Sequence, residues 1–234
     1  SSDSPFFQAD VKEYQPRLQK GNRLSFELRA NPVVTKKVDR KNPERYLKQR
    51  SDRKVANENK LTKKRIRHDV VMNAQKSFLA SLCVEFDLQS RLPSNPSKQE
   101  YKKVLIAHGG RALDQRLTAL LKGDKRYSER LRQSMQLRGK LESSIKAIID
   151  DALEKWMITQ GRRHGFLLAQ DDNNEYKLQN NAYRWHSIKG RKGKKAGFSS
   201  VDFLGNLEIT DVEKFMKALF EGIGRSKAFG CGLL

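Results

Sequence analysis

Cysteine, acidic residues and long apolar segments are all scarce in this chain of 234 residues. The two cysteines, Cys83 and Cys231, lie far apart and lack metal-ligand spacing, which argues against a disulfide scaffold and against a zinc site. A reducing, cytoplasmic setting is therefore expected. No apolar run reaches the roughly 18 residues that a membrane-spanning helix needs, and no segment has the pattern of a signal peptide.

Motifs for common catalytic sites are also missing. The sequence contains no Walker-type phosphate loop, no nucleophile elbow and no carboxylate pair in a strand–turn–helix setting, so neither a metal nor a cofactor is predicted. Histidine is the remaining acid–base candidate, at positions His68, His108, His164 and His186. A lone histidine usually has a structural role, and His186 is the best functional candidate because a cationic segment follows it.

Positive charge dominates the composition. Lysine and arginine number 48 against 27 aspartate and glutamate residues, which gives a formal net charge of +21 and an isoelectric point of about 10.1. A surplus of this size favours an anionic partner. Nucleic acid is the first candidate because each neutralised phosphate releases a counterion, and an anionic membrane is the second.

The highest density of positive charge lies in residues 36–67. This stretch has fourteen lysines and arginines and four acids, a net charge of 14 − 4 = +10. Its apolar residues show no clear period, so we predict a mobile basic loop. The loop is either an arm that follows RNA or DNA or a solubilising insertion.

Periodicity divides the rest of the chain into strands and helices. Alternation predicts a strand over 23–29, which ends at Pro32. Apolar residues at three- and four-residue steps predict helices between 70 and 160, with one long helix from Leu131 to Trp156 and Gly161 beyond its end. A hairpin is expected over 183–188 and 198–209, followed by a helix with a Thr210–Glu213 capping box and a strand starting at Leu233.

Two C-terminal segments suit a phosphate-rich partner. Six cations and no acid lie between 184 and 195, at the tip of the predicted hairpin. The last thirteen residues contain four glycines (Gly222, Gly224, Gly230 and Gly232) together with Arg225 and Lys227. Glycine lets backbone N–H groups approach a phosphate, and the cations add charge, so a phosphate-contacting loop is predicted. The alternative is a helix C-cap followed by a strand.

Four segments, in this order, resemble one known family. They are LSFELRANP at 24–32, WMITQGRRHGF at 156–166, GNLEITD at 205–211 and GIGRSKAFGCGLL at 222–234. Together they resemble the type I-E CRISPR repeat-processing endoribonucleases, the CasE family. The resemblance covers roughly residues 5–37, 60–74 and 150–234.

The resemblance implies an α+β fold of two tandem ferredoxin-like (RRM-like) domains, the first incomplete in this chain. Residues 1–35 would be the C-terminal part of the first domain and 36–69 a basic loop or linker. Residues 70–160 would be a helical region that includes an insertion at 75–149. Residues 161–234 would complete the second domain with the basic hairpin and the glycine-rich loop.

The resemblance also implies an activity. Members of the family bind the stem-loop of a CRISPR repeat, cleave it at the base of its 3′ side without a metal, and leave a 2′,3′-cyclic phosphate. They stay on the hairpin as a Cascade subunit beside an adjacent backbone subunit. The RNA-binding residues implied here are Arg184, His186, Lys189, Arg191, Lys192, Lys194, Lys195, Arg225 and Lys227. The family's catalytic histidine lies on the first helix of the N-terminal domain, which we expect to precede Ser1, so no catalytic residue is assigned.

Two other functions share the basic features. One is an RNA-binding module of a ribonucleoprotein without catalysis, and the other is a basic protein of ribosomal or DNA-binding type. A basic nuclease without a metal favours RNA, because the 2′-hydroxyl of RNA can attack its own phosphate and DNA has no such internal nucleophile.

Overall fold

The computed structural model of the chain describes residues 15–42, 44, 63–129, 131, 135–189 and 195–234. The fold mixes helices with antiparallel sheets. The strands are β1 (Arg23–Ala30), β2 (Val33–Asp39), β3 (Lys63–Asp69), β4 (Phe166–Leu168), β5 (Leu178–Lys189) and β6 (Lys195–Ile209). The helices are α1 (Val70–Glu85), α2 (Lys98–His108), α3 (Gly110–Lys122), α4 (Lys125–Ser128), α5 (Leu137–His164) and α6 (Val212–Glu221), with 3-10 turns at Gln89–Arg91 and Lys227–Phe229.

Strand β6 is the centre of the main sheet. It pairs with β1 on one side and with β4 and β5 on the other, always antiparallel. Side chains alternate between the faces of a strand, so Phe203 and Leu207 point into the core while Asp202 and Leu204 lie on the opposite face. Helices α5 and α6 cover the core face and contribute Trp156 to it. The other face is called the open face below.

The prediction that residues 1–35 belong to a separate first domain does not hold for β1. This strand pairs along its whole length with β6, from Arg23 opposite Glu208 to Ala30 opposite Val201. Its Leu28 is fully buried in the core that the C-terminal residues build. The pairing joins residues far apart in sequence, which local patterning does not reveal.

The basic loop predicted at 36–69 is also corrected, because its two ends are strands. Strands β2 and β3 pair from Val33 opposite Asp69 to Asp39 opposite Lys63 and form a two-stranded ribbon. The β-branched residues Val34, Thr35 and Ile66 favour strands although lysine and arginine surround them. Residues 45–62 of this predicted loop lie outside the described residues.

The predicted helical region is confirmed, with shifted boundaries. Helices α1, α2, α3 and α5 enclose a second core that includes Leu79, Leu105, Leu117 and Leu141. Helix α5 begins only at Leu137 and continues through Gly161, which the sequence placed beyond its end. A Cβ at Gly161 would come within 2.7 Å of the Phe166 carbonyl oxygen, so glycine permits the close approach of β4.

Glycine and aspartate set the boundaries of the C-terminal elements. Helix α5 ends at Gly165, which has a left-handed φ of 79°. The N-cap of α6 is Asp211, whose carboxylate accepts the Lys214 N–H at 3.1 Å, so the predicted Thr210 cap is wrong. Leu233 and Leu234 are not in a strand. In the described ranges, no helix combines the length and apolar character that crossing a bilayer requires.

The packing of β1 leads to a stability prediction. Leu28→Ala removes a fully buried side chain and should lower the free energy of unfolding by about 2–5 kcal/mol. Leu204→Ala is the matched control because Leu204 is 38% exposed on the open face, and it should cost less than about 1 kcal/mol. Urea denaturation measures both, and equal losses would contradict the placement of β1 in this core.

Candidate nucleic-acid interface

The predicted basic hairpin is present as β5 and β6. The two strands pair from Leu178 opposite Gly205 to Lys189 opposite Lys195. A bulge between Asn181 and Arg184, where Ala182 has a φ of 53°, increases the local twist of the outer part of the hairpin. Three of the predicted cations, Arg191, Lys192 and Lys194, lie outside the described residues.

An aromatic stack joins this hairpin to the glycine-rich loop. His186 lies opposite Phe198, with ring centroids 4.7 Å apart and planes inclined by 20°. Phe229 of the loop covers the other side of Phe198, at 5.0 Å and 25°. A 2.8 Å hydrogen bond between His186 Nε2 and Ser200 Oγ fixes the imidazole. The stack lies on the open face. Phe198 and Ser200 occupy positions of β6 that alternate with the core position Val201, so their side chains point to the opposite side of the sheet.

Neighbouring aromatic side chains of β5, Trp185 and His186, are both accessible to solvent. Trp185 is 58% exposed and His186 is half-buried, on opposite sides of the strand. The indole lies over Gly197, where a Cβ would come within 2.6 Å of it. Both sides of the outer hairpin therefore present an aromatic side chain.

Asp202, an acid on the open face that is affected by the charge of Arg184, is already paired with Arg29. Arg29 donates two hydrogen bonds to the Asp202 carboxylate, at 2.6 and 2.9 Å. The hydrogen bond from Arg29 is the largest cause that holds the pKa of Asp202 below its usual range, and the charges of Arg29, Arg184 and His186 contribute further. Asp202 consequently offsets little of the positive potential of the hairpin.

The glycine-rich loop is anchored beside β1. The Gly232 N–H donates to the Arg29 carbonyl at 2.6 Å, and the Ile223 N–H donates to the Gly232 carbonyl at 2.7 Å. The buried Asn31 donates to Ser226 Oγ at 2.7 Å. A Cβ at Gly232 would come within 2.3 Å of the Ile223 carbonyl oxygen, so this glycine is required by close packing.

The glycines do not act mainly as exposed phosphate donors. The N–H groups of Gly222, Gly230 and Gly232 donate to carbonyl oxygens within the protein. All four glycines of the loop instead have positive φ values, from 76° to 92°. They let the chain make the turns that present Arg225 and Lys227.

A groove of about 700 Å³ lies between this loop, β2 and α5. Its charged and titratable lining groups are Lys155, Arg163, His164, Arg225 and Lys227, and no carboxylate of the described residues lines it. The Arg225 guanidinium donates to Thr35 Oγ1 at 3.4 Å, which ties the loop to β2. The arrangement favours an extended anion.

Sequence reasoning missed the helix wall of this groove. Lys155, Thr159 and Arg163 follow one another at four-residue steps, which places them on one face of α5. His164 comes next, and burial, followed by the charges of Arg163 and Lys227, lowers its pKa. The four-residue spacing of polar and cationic groups was the available signal.

The basic ribbon is fixed to the hairpin through Asp69. This residue caps α1 by accepting the Met72 N–H at 2.8 Å, and its second oxygen accepts hydrogen bonds from the Ser199 and Tyr183 hydroxyls. Burial and the Asp69 charge raise the pKa of Tyr183 to about 12. These bonds fix the Asp69 end of the ribbon to the hairpin.

The predicted RNA-binding residues fall on two surfaces. Arg184 and His186 belong to the open face, whereas Arg225 and Lys227 line the groove on the side of α5. Lys189 and Lys195 are paired at the ends of β5 and β6. The loop meets both surfaces because Phe229 turns towards the hairpin. In the described part of the chain, no three histidine, cysteine, aspartate or glutamate side chains converge as a metal site.

A family model described as "CRISPR associated protein" matches residues 2–234. The chain belongs to this family. No curated protein sequence matches it.

Solved structures with similarity to this member of the CRISPR-associated family share little sequence with it. CRISPR endoribonuclease Cse3 bound to 19 nt RNA is 18% identical, with 95% of this chain and 59% of that chain covered and a TM-score of 0.40. Thermus thermophilus Cse3, bound to an RNA representing a pre-cleavage complex, is 17% identical, with 95% of this chain and 56% of that chain covered and a TM-score of 0.38. Cas6e from Escherichia coli str. K-12 is 17% identical, with 95% of this chain and 63% of that chain covered and a TM-score of 0.35. The chain spans less than two thirds of the length of each.

The groove leads to a prediction for His164. In the free protein its pKa should lie below the ordinary 6.5, and a bound polyanion should raise it because phosphate charge stabilises the imidazolium. NMR titration with and without a repeat hairpin RNA measures this change. Lys227→Gln should raise the pKa in the free protein by removing a nearby cation.

The same depressed pKa fixes the sign of a stability effect. His164 contributes stability above the unfolded-state pKa, and that contribution is lost as the pH falls through the lower folded-state pKa. An unchanged His164 pKa in RNA-saturated protein would contradict binding in the groove.

Proposed function

We propose that this chain binds the stem-loop of a CRISPR repeat RNA and belongs to a metal-independent endoribonuclease that remains on its product as a Cascade subunit. The observation that supports this most is the meeting of two cationic surfaces at the glycine-rich loop, in a chain of the CRISPR-associated family. The hairpin would contact the phosphates of the stem. The groove would take a neighbouring stretch of the same RNA.

Cleavage without a metal uses the RNA's own nucleophile. The 2′-hydroxyl attacks the adjacent phosphate, and the 5′-oxygen of the next nucleotide leaves, which yields a 2′,3′-cyclic phosphate. The protein needs a base for the hydroxyl proton, an acid for the leaving oxygen and cations for the charge on the phosphorane.

A non-catalytic RNA-binding module is the second candidate. It is favoured by the surroundings of His186, the histidine beside the cationic hairpin. This imidazole is hydrogen-bonded to the Ser200 hydroxyl and stacked on Phe198, so one ring nitrogen and one ring face are engaged in packing contacts. The described residues support RNA binding more directly than acid–base chemistry.

Incubation of the complete gene product with its repeat RNA in EDTA separates the two. Cleavage at the base of the stem with a cyclic phosphate end supports the endoribonuclease. Bound but intact RNA after long incubation supports the non-catalytic module. Equal affinity for random duplex DNA and for the repeat hairpin would contradict both and favour a general basic nucleic-acid-binding protein.

The hairpin tip gives a direct test of binding. Replacing Lys192, Lys194 and Lys195 by glutamate should weaken binding of the RNA stem-loop by several kcal/mol, since charged hydrogen bonds are worth roughly 1.5–3 kcal/mol each. The dependence of the dissociation constant on salt should become less steep. Filter binding over a series of salt concentrations measures both quantities.

The matched control is Lys76, Lys103 and Lys122 to glutamate. These three lysines are exposed on α1, α2 and α3, and their reversal changes the net charge equally. The control should retain most of the affinity. Equal weakening in both triple variants would mean that net charge rather than the hairpin tip governs binding.

A further inference from the structure

The outer ring of the aromatic stack is open to a ligand. Phe198 lies between His186 and Phe229, whereas Phe229 ends the stack among the residues that the structure describes and is 57% exposed. One side of its ring is covered by Phe198. Leaving so much of a large apolar ring in water is unfavourable, which suggests a partner surface for the other side.

Anchoring of the loop does not by itself account for this exposed ring. The loop is already held by the buried Ile223, by the Gly232 bond to β1 and by the contact of Asn31 with Ser226. Phe229 lies in a 3-10 turn between two residues in the left-handed region, Ser226 at φ 60° and Gly230 at φ 76°. The non-glycine Ser226 adopts a conformation that is uncommon for its type, and the turn it begins presents the ring.

The ligand that suits this position is a nucleobase. A base presents a flat π-face to an aromatic ring, and such stacking tolerates any sequence. Arg184 lies on the same face of the sheet and can neutralise the attached phosphate. Bases inside a duplex have both faces covered by their neighbours, so the free ring selects a base that is not paired.

We propose that Phe229 is a stacking platform for an unpaired nucleobase that flanks the stem of the bound RNA. The proposal rests on the proposed RNA binding and names the nucleotide that this part of the surface takes. The stack orders the ring in advance, since His186 is fixed by Ser200 and Phe198 is held between two rings. When a base binds there, only the base loses conformational freedom, because the ring is already held in place.

Fluorescence of 2-aminopurine tests the platform. The probe is placed, one position at a time, in the unpaired nucleotides on either side of the stem, and one position should be quenched when the protein binds. Phe229→Leu should abolish that quenching and weaken binding by about tenfold. Phe229→Tyr should restore both, because a tyrosine ring also stacks.

Two controls separate stacking from other losses. Phe220→Leu makes the same change at a ring that is 59% exposed on α6 and should bind as the unaltered protein does. The salt dependence of Phe229→Leu should stay close to that of the unaltered protein, since the substitution removes no cation. A blunt-ended stem without unpaired nucleotides should bind to both proteins equally.

The outcomes are distinguishable. The platform is wrong, while RNA binding stands, if the Phe229→Leu variant quenches 2-aminopurine and binds RNA as the unaltered protein does. The same conclusion follows if Phe229→Leu weakens binding of the blunt-ended stem as much as binding of the stem with unpaired nucleotides. If Phe229→Tyr does not restore the quenching and affinity that Phe229→Leu removes, the ring stabilises the conformation of the loop and does not stack on a base. If the unaltered protein binds no repeat RNA, the proposed function itself fails.

Discussion

Antiparallel pairing of β6 on both of its sides is the constraint on which the rest of the structure depends. This strand of fifteen residues holds β1 on one side and β4 and β5 on the other. Because side chains alternate along it, burying Val201 and Phe203 in the core forces Ser200 and Asp202 onto the open face. A shift of one residue would bury the aspartate and remove Ser200 from His186. The core therefore sets the position of the candidate interface.

The distribution of carboxylates explains where positive potential accumulates. In the helical region many acids are paired with cations, as in Lys140–Asp114, Arg116–Glu85 and Lys102–Glu142. These exposed or half-exposed pairs contribute little stability individually, but they cancel charge locally. The groove lined by Lys155 and Lys227 has no carboxylate among its described lining residues. The cations that line this groove therefore lack the local neutralisation seen in the helical region.

Local periodicity predicted what short-range physics determines, and it failed where partners are distant. The β5–β6 hairpin and α1 follow from alternation and from three- and four-residue spacing, so both predictions are confirmed. The membership of β1 in the main sheet depends on a strand more than 170 residues away, which no window of sequence reveals. The ribbon was missed because lysine and arginine masked its β-branched residues. The spacing of Lys155, Thr159 and Arg163 places them on one face of α5, but only the folded loop shows that this face lines a groove.

The glycine-rich loop has a different physical role from the one its composition suggests. Three of its glycine amides are used inside the protein, so phosphate binding by bare amides is not its main property. Its positive φ values instead let a short segment turn twice, which sends Arg225 towards β2 and Phe229 towards the hairpin. A segment with Cβ atoms at Gly222 and Gly232 would collide with its own backbone. Glycine is therefore needed because one short loop contacts both β2 and the hairpin.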